Sequence, residues 1–169
     1  YSAAVLAQQV GYDTGTNDDS SFGFGTFVAA KMALSDMITV QGTLSYTDGA
    51  SSYLYRSGAD SAYVDANGSV ENISGYGGSV GAGFNLGGGR SINIGYGMVE
   101  VDLDDAVADS VGTIDGTSTQ SVSALMANYQ WTPVKNVMMG VEAKYGTRET
   151  QNGDDGDASS LMFAAQYNF

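Results

Sequence analysis

Residues 159–169 read SSLMFAAQYNF. Leu161, Phe163, Ala165, Tyr167 and Phe169 share one parity, and Met162, Ala164, Gln166 and Asn168 share the other. Successive side chains of an extended strand point to opposite faces, so this segment has one greasy face and one mixed face. Such a strand meets an apolar medium on one side only.

The same period runs through the rest of the chain. Val137, Met139, Val141, Ala143 and Tyr145 alternate with Met138, Gly140, Glu142, Lys144 and Arg148. Ile38, Val40, Leu44 and Tyr46 alternate with Thr39, Gln41, Thr43 and Ser45, and Tyr76, Val80, Ala82, Phe84 and Leu86 with Gly77, Ser79, Gly81, Gly83 and Asn85. The pattern predicts eight strands, at 1–13, 21–34, 37–48, 75–87, 90–103, 118–131, 136–150 and 159–169. Strands of soluble proteins average about 5 to 6 residues, whereas a tilted strand crossing a bilayer needs about 9 to 11. The segments here are of the longer kind.

The connections alternate as well. Ser35-Asp36, Gly87-Gly88-Gly89 and 132–135 are tight, while 14–20, 49–74, 104–117 and 151–158 are long, so short and long links lie at opposite ends. Bacterial outer-membrane barrels have short periplasmic turns and long extracellular loops. The layout therefore predicts an all-β chain, a single antiparallel transmembrane β-barrel segment over 1–169, with 49–74 as a long extracellular loop and the C-terminus on the periplasmic side. Most acidic residues fall at the long-loop end, among them Asp18, Asp19, Asp65, Asp104, Asp105 and Asp109. A soluble antiparallel sandwich alternates in the same way. Strand length argues against it, as do strand-end aromatics such as Tyr129, Trp131, Tyr167 and Phe169, which suit an interfacial girdle.

Composition narrows the chemistry. The chain has neither cysteine nor histidine, which removes disulfides, thiolate metal sites and imidazole bases, and no Ser-His-Asp arrangement can exist. An enzyme is not expected. A net charge of −13 with six Lys and Arg argues against nucleic-acid phosphates as partners. No run approaches the roughly 18 to 20 apolar residues of a membrane-spanning helix. The glycines of Gly87-Gly88-Gly89 lack the strand-to-helix context of a phosphate cradle and read as hairpin chemistry. Those inside strands, Gly42, Gly81, Gly83, Gly95 and Gly97, read as sites of curvature in a closing barrel.

The terminal stretch WTPVKNVMMGVEAKYGTRETQNGDDGDASSLMFAAQYNF resembles the C-terminus of DcaP-like porins, with a Trp-x-Pro-Val turn, a Gly-x-Glu strand, an Arg-Glu, a Gly-Asp loop and a Tyr-x-Phe end. A second similarity lies in YVDANGSVENISGYGG, at Val64-Asp65, Gly68, Glu71, Ile73 and Gly77-Gly78. The resemblance implies an outer-membrane porin of Gram-negative bacteria, a homotrimer of barrels with about sixteen strands, that transports small and often anionic solutes such as carboxylates. The eight strands would then be the C-terminal half, which suits a chain that enters directly on a strand-like run at Tyr1. A complete eight-stranded barrel has the same topology and is the rival, with a structural or adhesive role and no open pore.

With apolar residues toward lipid, the opposite face looks into the lumen, and Lys31, Gln41, Glu142, Lys144 and Arg148 are expected to line the pore. A lysine at mid-depth on the lipid face costs about 2 to 4 kcal/mol. Glu142, Lys144 and Arg148 read either as a step that attracts anions or as a self-neutralising ladder of ion pairs. Loop 49–74 mixes Tyr53, Tyr55, Arg56 and Tyr63 with acidic residues and is the candidate constriction. No cofactor is expected. Asp154, Asp155 and Asp157 are weak candidates for surface Ca²⁺ or Mg²⁺ bridging to lipopolysaccharide, since they lack the spacing and closing Glu of an EF-hand. Between Tyr1 and Asp13 the alternation does not separate lipid face from lumen face.

Overall fold

The computed structural model describes residues 1–55, 57–112 and 114–169. In chain order the strands are β1 (Ser2–Asp13), β2 (Asp18–Ala33), β3 (Ile38–Asp48), β4 (Ala62–Val64), β5 (Val70–Asn72), β6 (Ser74–Gly87), β7 (Arg90–Val101), β8 (Thr119–Val134), β9 (Val137–Thr150) and β10 (Asp155–Tyr167). A short helix, α1 (Asp104–Asp109), lies between β7 and β8. Eight of these strands form one antiparallel sheet in the order β1-β2-β3-β6-β7-β8-β9-β10, and β4 and β5 pair apart from it. The sheet is open, with β1 and β10 as its edges.

All eight expected strands are present, and their ends differ for physical reasons. β2 begins at Asp18 and β10 at Asp155 because the ladders continue through polar pairs, Asp13 opposite Asp18 and Glu149 opposite Asp155. There the strands have left the apolar band, so alternation no longer marks them. β8 continues through Pro133 to Val134, and its pairing with β9 shifts between Trp131 and Val134. Proline has no N–H to give the ladder, and an irregularity of this kind is where a strand tolerates it. Lys135 and Asn136 make the turn, with Asn136 at φ 68°, a left-handed conformation that asparagine tolerates better than most residues.

The pairing sorts the side chains into two faces. Across β3, β6, β7, β8 and β9 one register row reads Val40, Ala82, Ile94, Ala127 and Ala143, and the row beside it Gln41, Gly81, Gly95, Met126 and Lys144. The first belongs to a convex apolar face. There Leu44 is 67%, Val80 62%, Leu161 76% and Phe163 63% exposed, so no part of the described protein covers the greasiest side chains. Aromatics bound this band. At the short-turn end Tyr129 stacks on Trp131 at 5.4 Å, Trp131 meets Phe163 at 6.3 Å, and Tyr167 meets Phe169 edge-on at 5.1 Å. At the other end stand Phe24, Tyr46, Tyr76, Tyr96 and Tyr145, with Phe24 and Tyr46 in contact at 6.1 Å. From Tyr76 to Phe84 β6 rises roughly 26 Å at about 3.3 Å per residue. At the tilt of about 35–45° found in outer-membrane barrels this run rises about 20 Å, most of an apolar band about 25 Å tall.

The buried core lies away from the middle of the sheet. Leu54, Ile73, Val99, Val101, Leu103 and Ala106 pack together at the long-loop end, and Ile73, Ala106, Val101 and Leu103 are at most 2% exposed. Two come from the 49–74 segment, two from the end of β7 and two from the α1 region. Tyr63, Val107 and Ile114 close around them.

Candidate functional site

The concave face forms a trough of about 830 Å³, lined in part by Lys31, Gln41, Ser79, Asn93, Glu142 and Lys144. Lys31 on β2 lies opposite Gln41 on β3, and Lys144 on β9 opposite Met126 on β8. Between the two lysines the floor is nearly bare, because β6 and β7 present Gly77, Gly81, Gly83, Gly95 and Gly97 there. At Gly95 and Gly97 an added Cβ would meet its nearest heavy atom only at 3.7 and 3.5 Å, so glycine is not forced by packing. Its consequence is depth: side chains are missing from the floor of the trough on β6 and β7.

A polar row crosses the trough toward the short-turn end. Asn93 Nδ2 donates to Asn128 Oδ1 at 2.8 Å, and Asn128 Nδ2 donates to Glu142 Oε2 at 3.3 Å. Arg148, on the same face near the long-loop rim, donates from Nε to Thr119 Oγ1 at 2.7 Å and from Nη2 to the Thr117 carbonyl at 3.3 Å. Glu142 and Arg148 thus turn to neutral partners on or beside β8. Of the remaining cations, Arg90 and Lys135 stand at short turns, and Arg56 lies outside the described residues.

The 49–74 segment folds inward at the long-loop end, where Leu54 and Tyr55 border the trough. It begins with a single 3-10 turn, Ser51–Tyr53, and Ser51 Oγ donates to the Ile73 carbonyl at 2.6 Å, tying its start to its end. Ser57 Oγ donates to the Ser51 carbonyl at 2.8 Å. Leu54 is buried while its neighbours Tyr53 and Tyr55 are 64% and 80% exposed. Tyr55 borders the trough beside Leu54, whereas Tyr53 does not line it. The β4–β5 hairpin then crosses toward α1, where Asp65 bridges to Ser110 and the Val111 amide donates to the Val64 carbonyl at 3.0 Å.

Asp65 organises the hairpin turn. Its Oδ1 accepts from the Ser69 amide at 2.7 Å and the Asn67 amide at 2.9 Å, and Oδ2 accepts from Asn67 Nδ2 at 3.0 Å. The Ser69 amide bond, with those from Asn67, holds its carboxyl below the usual carboxylate value. Tyr63 is shifted the other way: burial first, then the charges of Asp105, Glu71, Asp109 and Asp65, push its phenol above the usual value.

Asp154, Asp155 and Asp157 are not brought together as a ligand set. Asp154 sits in the turn, with Oδ2 accepting from Asn152 Nδ2 at 2.9 Å, while Asp155 and Asp157 begin β10 opposite Glu149 and Thr147. Among the described residues no three acidic side chains gather as a metal site would require.

Sequence reading missed the residues of β1 and β2 beneath the strap. Register puts Gln8 opposite Gly23 and Tyr12 opposite Asp19. All four lie on the concave face, which settles which side of β1 looks inward. The parity of Gln8 and Tyr12 was the available signal.

No family model and no curated protein matches the chain. Among solved structures, the outer-membrane channel DcaP of Acinetobacter baumannii has a TM-score of 0.83 and 26% identity, over 99% of this chain and 46% of that one. The chain thus spans about half the length of that channel subunit. Two structures of the Yersinia pestis outer-membrane protein Ail also align over 99% of this chain. One, in a nanodisc, covers 96% of that chain at 14% identity and a TM-score of 0.36; the other, a crystal structure, covers 95% at 17% and 0.32. Their shapes differ too much for an argument to rest on them. The likeness to DcaP over the full sheet supports the resemblance to DcaP-like porins read from the C-terminal motifs: the chain shares the eight-stranded antiparallel sheet of about half of that outer-membrane channel.

Proposed function

We propose that this chain forms part of the wall of an outer-membrane porin, through which small hydrophilic solutes diffuse passively along the concave face. The observation that carries the reading is the contrast between faces. A continuous apolar band between two aromatic girdles backs a polar, glycine-floored trough holding Lys31, Gln41, Glu142 and Lys144. Lipid suits the first and water the second.

Two further facts support a barrel larger than eight strands. The sheet has two free edges, and an eight-stranded barrel has an interior just wide enough to be filled by side chains. Here a strap of more than twenty residues folds inside. A wall of about sixteen strands accommodates both, with this chain as its C-terminal half. In that setting Lys31 and Lys144 share the trough with Glu142 and Asp36, and Arg148 on the same face near the rim tips the balance toward cations, so we infer a preference for anions. We further infer a periplasmic C-terminus, assembly as a homotrimer and contact of the acidic rim with lipopolysaccharide.

Single-channel recording of the native polypeptide in planar bilayers tests this reading. Large, stable currents with anion preference are expected, and changing Lys31, Lys144 and Arg148 to Gln should reduce that preference. Correctly folded protein without currents contradicts it and leaves the structural or adhesive barrel. The intact mass of the native polypeptide, expected at about twice 17.5 kDa or more, tests the larger barrel.

A further inference from the structure

The 49–74 strap is fixed to the wall at points that loop composition does not suggest. Gln8 Nε2 donates to the Gly49 carbonyl at 2.6 Å, and the Tyr12 hydroxyl donates to the Gly68 carbonyl at 2.6 Å. The Val70 amide donates to Asp19 Oδ2 at 2.7 Å. Asn72 Nδ2 donates to the Phe22 carbonyl at 3.0 Å and to Asp48 Oδ1 at 2.6 Å. These contacts reach back across β2 to β1, the edge strand. The strap leaves from β3 and rejoins at β6, so nothing in its connectivity requires a hold on β1.

Gly23 provides the seat. A Cβ built on it would lie 2.1 Å from the Gly49 carbonyl oxygen and 2.6 Å from its carbon, both backbone atoms that have no side-chain freedom to yield. Only glycine lets the first strap residue rest on β2 at this distance. Beyond the other end, a Cβ on Gly75 would lie 2.7 Å from the Leu54 Cδ1 methyl and 2.9 Å from the Glu100 carbonyl oxygen of β7. The strap is therefore inlaid where it begins, and Leu54 near its start and Ile73 at its end anchor it in the buried cluster.

We propose that Gln8, Tyr12, Asp19 and Gly23 are positioning residues for the constriction: by clamping the strap to β1 and β2 they set the aperture above the trough. The proposal rests on the porin reading. None of the four lies among the residues that border the trough, so they act through the strap and not on the solute. Because the clamp is a set of bonds to main-chain atoms, strap side chains can vary while its path stays fixed.

The test uses the native polypeptide in planar bilayers and in liposomes swollen by neutral sugars of increasing size. Removing the clamp in a Gln8→Ala, Tyr12→Phe, Asp19→Ala variant should raise single-channel conductance about twofold and admit larger sugars, while the folded protein's gel mobility stays that of the parent. Gly23→Ala alone should move both readouts in the same direction. If the triple variant does not fold, Tyr12→Phe, which removes one hydroxyl, should still shift the sugar cut-off. A conducting parent whose folded variants keep its conductance and cut-off overturns the clamp and leaves the porin reading standing. A folded parent that passes neither ions nor sugars overturns both.

Discussion

The middle of the eight-stranded sheet and the strap across its long-loop end are built on opposite principles. In the middle, Leu44, Val80, Leu161 and Phe163 stand mostly exposed on one face while glycines and polar groups occupy the other. At the strap, Ile73, Val101, Leu103 and Ala106 are sealed from solvent, as in a soluble core. A water-soluble sandwich would bury its best apolar residues along the strand centres. Among the described residues those centres have no protein partner, and the extensive burial lies beyond them. The difference teaches that two solvents act on one sheet: lipid replaces the core along the strands, and water restores the ordinary rule above them.

The largest test of this contrast is truncation inside the strap's core. Ile73→Ala should destabilise the strap by about 2 to 5 kcal/mol, read as faster proteolysis within 49–74, while the sheet keeps its folded gel mobility. Equal loss in both regions would show that they are not separate. The next is a charge placed on either face of β6. Val80→Arg should cost about 2 to 4 kcal/mol in urea titrations of folding into lipid vesicles, and Ser79→Arg, one residue away, about 0 to 1. Matching penalties would break the assignment of faces.

Smaller effects sharpen the borders. Tyr129→Leu keeps much of the apolar area but removes the stack on Trp131, a loss of about 0.5 to 1.5 kcal/mol in a double-mutant cycle with that residue. Trp131 is the sole tryptophan, so its emission reports the same site. Least in size is a pH effect at the hairpin. The folded fold holds the Asp65 carboxyl below its unfolded value. Its contribution is therefore complete above the ordinary carboxylate range and fades as pH falls through the depressed value. Hydrogen exchange at the Ser69 amide should accelerate relative to the sheet on acidification, and Asp65→Ala should remove that dependence.

Much of this architecture was legible in the sequence because period two is a direct imprint of a two-faced strand. Leu161 through Phe169, and Gln41 beside Val40, announce their faces without any partner in view. Lys31, Gln41, Glu142 and Lys144 were placed on the trough by parity alone. Strand ends were less legible, since Asp18 and Asp155 extend their ladders in water, where no face need be apolar. The strap's inward path was expected from its length and tyrosines, but its hold was not. Tyr12 to Gly68 and Gly23 to Gly49 are long-range contacts with main-chain atoms, and a main-chain partner leaves no residue type to read. The glycines of β6 and β7 leave room at Gly95 and Gly97 and so deepen the trough, a consequence their spacing alone did not announce.

The most direct test of the central claim uses the absence of native cysteine. Single cysteines placed in turn at 77 through 83 along β6, in the native polypeptide folded in vesicles, are treated with a charged, membrane-impermeant thiol reagent. Labelling should alternate from 78 onward, with Ser79, Gly81 and Gly83 positions reacting and Gly78, Val80 and Ala82 positions protected by lipid, while the Gly77 position is shielded by Val99 of the buried cluster. Uniform labelling, uniform protection or the opposite parity would contradict a sheet with water on its concave face and lipid on its convex one.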